Sequence, residues 1–218
     1  VIPNIIDQNV FRDRPETSPA HLASGEPLGG REPFTLVITR NLETIYGIDT
    51  ALHAMAKVRE HGCPACMRIA GSGPAERQLK QLTRDLGLED IIHFEGPLER
   101  DEVVALYGQA DAMVNPTTID NMPNSVLEAM ACGLPVISTN VGGVPYILTD
   151  GETGLLVPAR DPQALANAIL LLFSDRTLQQ RLRSNALNEV ERYSWHSVRD
   201  QWLTTYHELF SSNAGAVP

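Results

Sequence analysis

Two carboxylates and one arginine carry the chemistry open to this sequence. Asp120 stands in the polar stretch Thr117-Thr118-Ile119-Asp120-Asn121-Met122, and Glu128 follows inside the apolar run Val-Leu-Glu-Ala-Met-Ala. A carboxylate among apolar neighbours is costly to keep unless its charge is used, which makes Glu128 a candidate binding group. Were both acids on one helix they would lie about 12 Å apart along its axis. That is beyond the reach of a paired acid and base of the hydrolase kind and suits contacts to different parts of one long ligand. Pro123 fits the first helical position, where its missing N–H has no partner to lose. The backbone N–H groups of Asn124, Ser125 and Val126 are then expected to be free, and an open helix N-terminus attracts phosphate. Arg40 closes the β-rich run Phe34 to Thr39. It is a fixed cation available either to an anionic ligand or to Glu43.

These residues need a frame. β-rich runs at 34–39, 66–70, 91–94, 112–115, 136–139 and 154–157 alternate with helix-period segments at 48–60, 75–86, 100–108 and 124–131, each closed by Gly or Asp. The alternation predicts an α/β chain built of βαβ units: a Rossmann-like, doubly wound parallel sheet of about six strands. Three further helices are expected at 162–173, 176–193 and 195–210. On the last, Trp195, Val198, Trp202, Tyr206 and Leu209 share one face and read as core. Residues 1–31 are rich in Pro, Gly and Ser and read as a connector pinned by Val1, Ile2, Ile5, Ile6 and Phe11. Residues 32–212 form the expected domain and 213–218 a tail.

In such a sheet, ligands bind at the carboxyl ends of the strands near the point where strand order reverses. The loop after the first strand, Arg40-Asn41-Leu42-Glu43, has no Gly-x-Gly-x-x-Gly, which removes most support for a dinucleotide oxidoreductase. Gly71-Ser72-Gly73-Pro74 and Glu95-Gly96-Pro97-Leu98 follow the second and third strands. Each is either a tight turn or a place where a ligand approaches the backbone.

Composition narrows the function classes. The 218 residues carry a net charge of −10, and Lys57 and Lys80 are the only lysines. A field of that sign disfavours nucleic acid and anionic membranes as partners, so an anionic ligand must be held by local groups. No long apolar run or leader pattern is present, and the chain reads as a soluble, cytoplasmic protein with no intrinsic membrane segment. Cys63-Pro64-Ala65-Cys66 follows a helix and enters a strand, where the helix dipole has the wrong sign to activate a thiol. No second ligand pair is spaced for zinc. The cysteines read as structural.

Taken in order, these motifs resemble the C-terminal, donor-binding domain of a retaining glycosyltransferase of the GT-B fold, family 4 type. The resemblance spans essentially the whole chain. It rests on the opening Val-Ile-Pro-Asn-Ile-Ile-Asp, on Gly-Ser-Gly-Pro and Phe-Glu-Gly, and on Asp120 to Glu128 as a Glu-x₇-Glu element. Its most specific parts are Leu-Glu-Ala-Met-Ala-Cys-Gly-Leu-Pro-Val-Ile-Ser-Thr-Asn-Val-Gly-Gly and the later Asp-Gly-Glu-Thr-Gly-Leu-Leu-Val-Pro. The resemblance implies a nucleotide-diphospho-sugar as donor substrate, with no cofactor and no metal. By it, Glu128 accepts hydrogen bonds from the ribose, and Asp120 with Asn121 and Met122 holds the sugar. Arg40, beside Gly71, and the N–H groups of Asn124, Ser125 and Val126 hold the diphosphate. Gly96, Pro97 and Leu98 face the base. Arg40, Asp120 and Glu128 are then the catalytic residues, acting on charge and position. Departures from the pattern are Asp120 for a glutamate, Tyr46 for a lysine and Tyr146 for an acid, with Pro123 removing one donor from the sugar-binding turn. The acceptor-binding N-terminal domain of such an enzyme is missing from this sequence, which starts at Val1, so the isolated chain is expected to bind a nucleoside diphosphate weakly and not to transfer sugar. The alternatives are a non-catalytic nucleotide-sugar-binding module and half of a GT-B epimerase or phosphorylase.

Overall fold

A computed structural model describes residues 3–13 and 33–214, without the side chains of 208–214. The expected pins Val1 and Ile2, most of the connector, and tail residues 215–218 lie outside the described residues.

The strands are β1 (Phe34–Thr39), β2 (Ala65–Ala70), β3 (Ile92–Gly96), β4 (Ala112–Asn115), β5 (Val136–Thr139) and β6 (Leu155–Val157). The helices are α1 (Ile48–Glu60), α2 (Glu76–Asp85), α3 (Arg100–Gly108), α4 (Asn124–Ala131), α5 (Pro162–Ser174), α6 (Arg176–Val190) and α7 (Trp195–Ala214). All strand pairs are parallel and the order is β3-β2-β1-β4-β5-β6. The order reverses between β1 and β4, as in a doubly wound Rossmann-like sheet.

The period-two alternation of β1 shows why both faces are covered. Leu36 and Ile38 enter the core shared with α1, α2 and α5. Val37, between them, enters the core shared with α3 and α4. Each such side chain, fully buried, contributes about 1.5–3 kcal/mol. The described part of the connector joins the second core: Ile6 and Phe11 are buried, and the Ile6 N–H donates to the Tyr193 carbonyl at 2.9 Å. Ile5 is exposed.

Helix starts follow local rules. α3 opens with a reciprocal box in which Glu99 and Glu102 each accept from the other's backbone. α5 and α6 are capped by the carboxylates of Asp161 and Asp175. α4 has no side-chain cap, and Pro123 is its N-cap residue in extended conformation rather than its first helical residue.

The apolar stripe on α7 is not the core face expected. Val198 is fully buried, but Trp195 is 55% and Tyr206 52% exposed, and the half-buried Trp202 stacks on Tyr206. Periodicity identifies a face and not what covers it; here Val198 anchors the helix beside the short 3₁₀ turn Glu191–Tyr193, Tyr206 stands exposed, and the Leu209 side chain lies outside the described residues.

Candidate functional site

The carboxyl ends of β1 and β2 are laced together. Arg40 N–H donates to the Ala70 carbonyl at 3.1 Å, Leu42 N–H to the Ser72 carbonyl at 2.9 Å, and Gly71 N–H to the Gly96 carbonyl at 2.7 Å. Gly71 has φ 136° and lies against the Arg40 carbonyl, so that a Cβ there would overlap it. Only glycine fits both demands. The three loops thereby enclose a cleft of about 390 Å³, lined by Arg40, Tyr46, Gly71, Pro97, Leu98, Ser125 and Glu128 among others. It lies between the end of β1 and the start of α4, the helix that follows β4, and so at the reversal of strand order.

Arg40 is held on two sides. Its guanidinium carbon lies 4.3 Å from the centre of the Tyr46 ring, and one Nη pairs with an Asp120 carboxylate oxygen. Glu43, the alternative partner, is not used among the described residues. The Asp120 loop is fastened to the turn bearing Tyr46, since Thr118 N–H and hydroxyl both donate to the Ile45 carbonyl, at 2.8 and 2.9 Å. Burial pulls the Arg40 pKa down, and Tyr46, Tyr107 and Glu128 pull it back up. A guanidinium stays charged through such shifts. Its buried Nε has no hydrogen-bond partner, and neither does the buried Ser125 hydroxyl on the cleft wall. Buried polar groups without partners are costly, and two of them at one cleft mark a place for a polar ligand.

Glu128 is half-buried on α4. Burial raises its pKa above the ordinary value, against the opposing effects of the Tyr107 hydroxyl and the charges of Arg100 and Arg40. At the start of α4 the Val126 N–H, expected to be free, donates to the Pro123 carbonyl at 3.1 Å, because with Pro123 as N-cap the first turn closes one residue earlier. The N–H groups of Asn124 and Ser125 have no hydrogen-bond partner among the described residues. The Val126 side chain is fully buried in the core.

Asp120 and Asn121 rest on the turn after β5. Gly143 N–H donates to the Asp120 carbonyl at 2.8 Å, and a Cβ at Gly142 or Gly143 would overlap the Asp120 or Asn121 carbonyl. Asn121 and Met122 line a second, larger cavity of about 1030 Å³ together with Gly143 and Tyr146. The Asn124 side chain accepts from the Asn4 amide at 2.8 Å, and the same amide donates to the Met122 carbonyl at 3.2 Å.

Of the residues singled out from sequence, the structure brings Arg40, Gly71, Pro97, Leu98, Ser125 and Glu128 to one cleft, with Asp120 joined through Arg40. Gly96 anchors the turn that presents Pro97 and Leu98. The side chains of Asn121, Met122, Asn124 and Val126 lie elsewhere, as described. Sequence reading missed Thr39, which lines the cleft, Tyr107, which stands behind it, and the ring contact of Tyr46. Tyr107 carried one usable signal: a buried tyrosine needs a partner for its hydroxyl.

Cys63, Cys66 and Cys132 are buried and form no disulfide, and burial pushes the Cys63 thiol up to about 11. The native chain is expected to react with a thiol reagent far more slowly than the unfolded chain, which a colorimetric thiol count with and without denaturant checks. Among the described residues no cluster of three or more His, Cys, Asp or Glu is placed to hold a metal, and no helix is long and apolar enough to cross a membrane.

Comparison with known proteins follows the same lines. A D-inositol 3-phosphate glycosyltransferase of Streptomyces bingchenggensis is 34% identical over 169 residues, covering 73% of this chain and 37% of that protein. The sucrose-phosphate synthase of Thermosynechococcus elongatus superposes with a TM-score of 0.83 at 27% identity, covering 97% of this chain and 52% of that one. The Anabaena protein Alr3699/HepE, solved with UDP and glucose, superposes at 0.80 with 24% identity over 95% of this chain and 56% of that one, a likeness of fold. The chain thus spans about half or less of the length of these proteins. Residues 25–189 match the family described as glycosyl transferases group 1, and with the Rossmann-like sheet of GT-B glycosyltransferases around its cleft, the chain belongs to that family.

Proposed function

We propose that this domain binds the donor, a nucleotide-diphospho-sugar, for a retaining, metal-independent glycosyltransferase of the family 4 type, and that the acceptor-binding half lies outside this chain. The observation that carries the reading is the meeting of Arg40 and Glu128, from the ends of two different elements, in one cleft at the reversal of strand order. Glu128 accepts from the ribose hydroxyls. Arg40 and the open N–H groups of Asn124 and Ser125 take the diphosphate, and Asp120 turns from Arg40 to the sugar. Pro97 and Leu98 lie against the base. When the sugar–phosphate bond breaks, negative charge grows on the departing diphosphate, and a cation already in place stabilises that state more than the ground state. The incoming hydroxyl attacks from the face that the diphosphate leaves, which retains configuration without an enzymic nucleophile. Alr3699/HepE, solved with UDP and glucose on the same fold, supports a uridine nucleotide as the first to try. The transferase serves polysaccharide or glycoconjugate synthesis, and the isolated chain binds donor without turnover.

Thermal unfolding with UDP, GDP, ADP and their sugars tests this. At a concentration one hundred times its Kd, the right nucleotide stabilises by about 2.7 kcal/mol and raises the midpoint by roughly 5–10 °C. No shift with any of them sinks the reading.

A further inference from the structure

Behind the cleft the Tyr107 hydroxyl joins three elements. It lies 2.6 Å from the Thr39 hydroxyl at the end of β1, 3.3 Å from the Ser125 carbonyl in the first turn of α4, and 3.5 Å from a Glu128 carboxylate oxygen in the second. The side chain is fully buried, with its ring 6.5 Å from that of Phe11. A phenol has one hydrogen to give, and burial with the nearby Glu128 charge raises its pKa well above the ordinary value, so it remains a donor. The consistent arrangement has Thr39 donating to Tyr107, and Tyr107 sharing its hydrogen between the Ser125 carbonyl and Glu128. Thr39 is the residue before Arg40. One hydroxyl therefore ties the strand end carrying the cation to the helix carrying the acid.

We propose that Tyr107 is the positioning residue of this site, its hydroxyl, anchored through Thr39 to the end of β1, holding the Glu128 carboxylate in one fixed geometry. The proposal deepens the nucleotide-sugar reading and rests on it for the identity of the ligand. The contacts themselves do not depend on that reading. Ring burial makes Tyr107 core, and the hydroxyl adds the second role. A core tyrosine with no such role would not need its oxygen within reach of both α4 and β1.

Tyr107→Phe keeps the ring and removes the hydroxyl. The groups bearing on the Glu128 charge are Arg40 at the end of β1, Arg100 and Tyr107 on α3; Cys132, at the end of α4, acts on Tyr107. Loss of the Tyr107 donor leaves burial less opposed, so the Glu128 titration in the ligand-free chain, followed by carboxyl-carbon NMR, moves to higher pH. An unmoved titration overturns the proposal whether or not any nucleotide binds. With nucleoside diphosphates as probes, the variant binds roughly three- to tenfold more weakly. Its affinity also falls away at a higher pH than the wild type's. A 2′,3′-dideoxy nucleotide, which lacks the hydroxyls Glu128 would hold, loses nothing. In a Glu128→Gln background the Tyr107→Phe change adds nothing further, and additive losses count against it. Failure of the wild-type chain to bind any of UDP, GDP or ADP is instead the failure of the functional reading.

Discussion

Arg40→Ala lowers affinity for a nucleoside diphosphate by about thirtyfold, since a hydrogen-bonded charge is worth about 2 kcal/mol. Among the described residues no second cation lines the cleft: its other charged wall is Glu128, so the diphosphate loses its main counter-charge. Arg40→Lys recovers part of the loss, because a lysine keeps the charge but neither the planar fork nor the stacking on Tyr46. Asp120→Asn provides the opposite signature. In the ligand-free chain Asp120 occupies the guanidinium that the diphosphate needs, so its neutralisation strengthens binding of the bare nucleotide while erasing any preference for the sugar-bearing donor. Calorimetry on the three variants with UDP and UDP-sugars reads both effects. Equal affinity in Arg40→Ala and wild type removes Arg40 from the site.

Glu128→Gln is expected to do two opposite things. It weakens binding of a ribonucleotide by roughly tenfold to a hundredfold, because hydrogen bonds from the ribose to an ionised acceptor are worth about 1.5–3 kcal/mol. It also raises the melting temperature of the ligand-free chain at neutral pH. Burial lifts the Glu128 pKa above its ordinary 4.5, so the folded chain keeps a proton that the unfolded chain has released. The stability that this group contributes is full below 4.5 and is lost as pH rises through the folded value. Removing the charge recovers that loss at about pH 7 and recovers nothing at about pH 4. Melting curves across this range check it, and a difference between variant and wild type that ignores pH refutes the assignment.

Much of this was legible in the sequence, for reasons that can be named. β-branched runs between Gly and Pro marked the strands, and a glutamate inside Val-Leu-Glu-Ala-Met-Ala was conspicuous because apolar neighbours make its charge expensive. Arg40, which lines the cleft, was singled out by the rule that ligands gather at strand ends. Its pairing with Asp120 was not, because 80 residues separate them and only the adjacency of β1 and β4 brings them together. Tyr107 was hidden for another reason. On α3 it sits three residues after Val104, both buried, and such a pattern reports where a ring goes and nothing about its oxygen. The N–H of Val126 was misjudged by the one-residue difference between a proline that starts a helix and one that caps it. On α7 the stripe was real and its cover was not.

The contact between the Gly142-Gly143 turn and the carbonyls of Asp120 and Asn121 has a consequence for how such a site diversifies. The path of the loop is dictated from outside it, by two residues with no side chains, while Ile119 is 68% exposed and Asn121 is exposed beside the larger cavity. Substitutions at those two positions alter what the loop presents without asking its backbone to find a new route. Selection for a different sugar or partner thus has a small, separable alphabet to work with, and the glycines are the letters it cannot change.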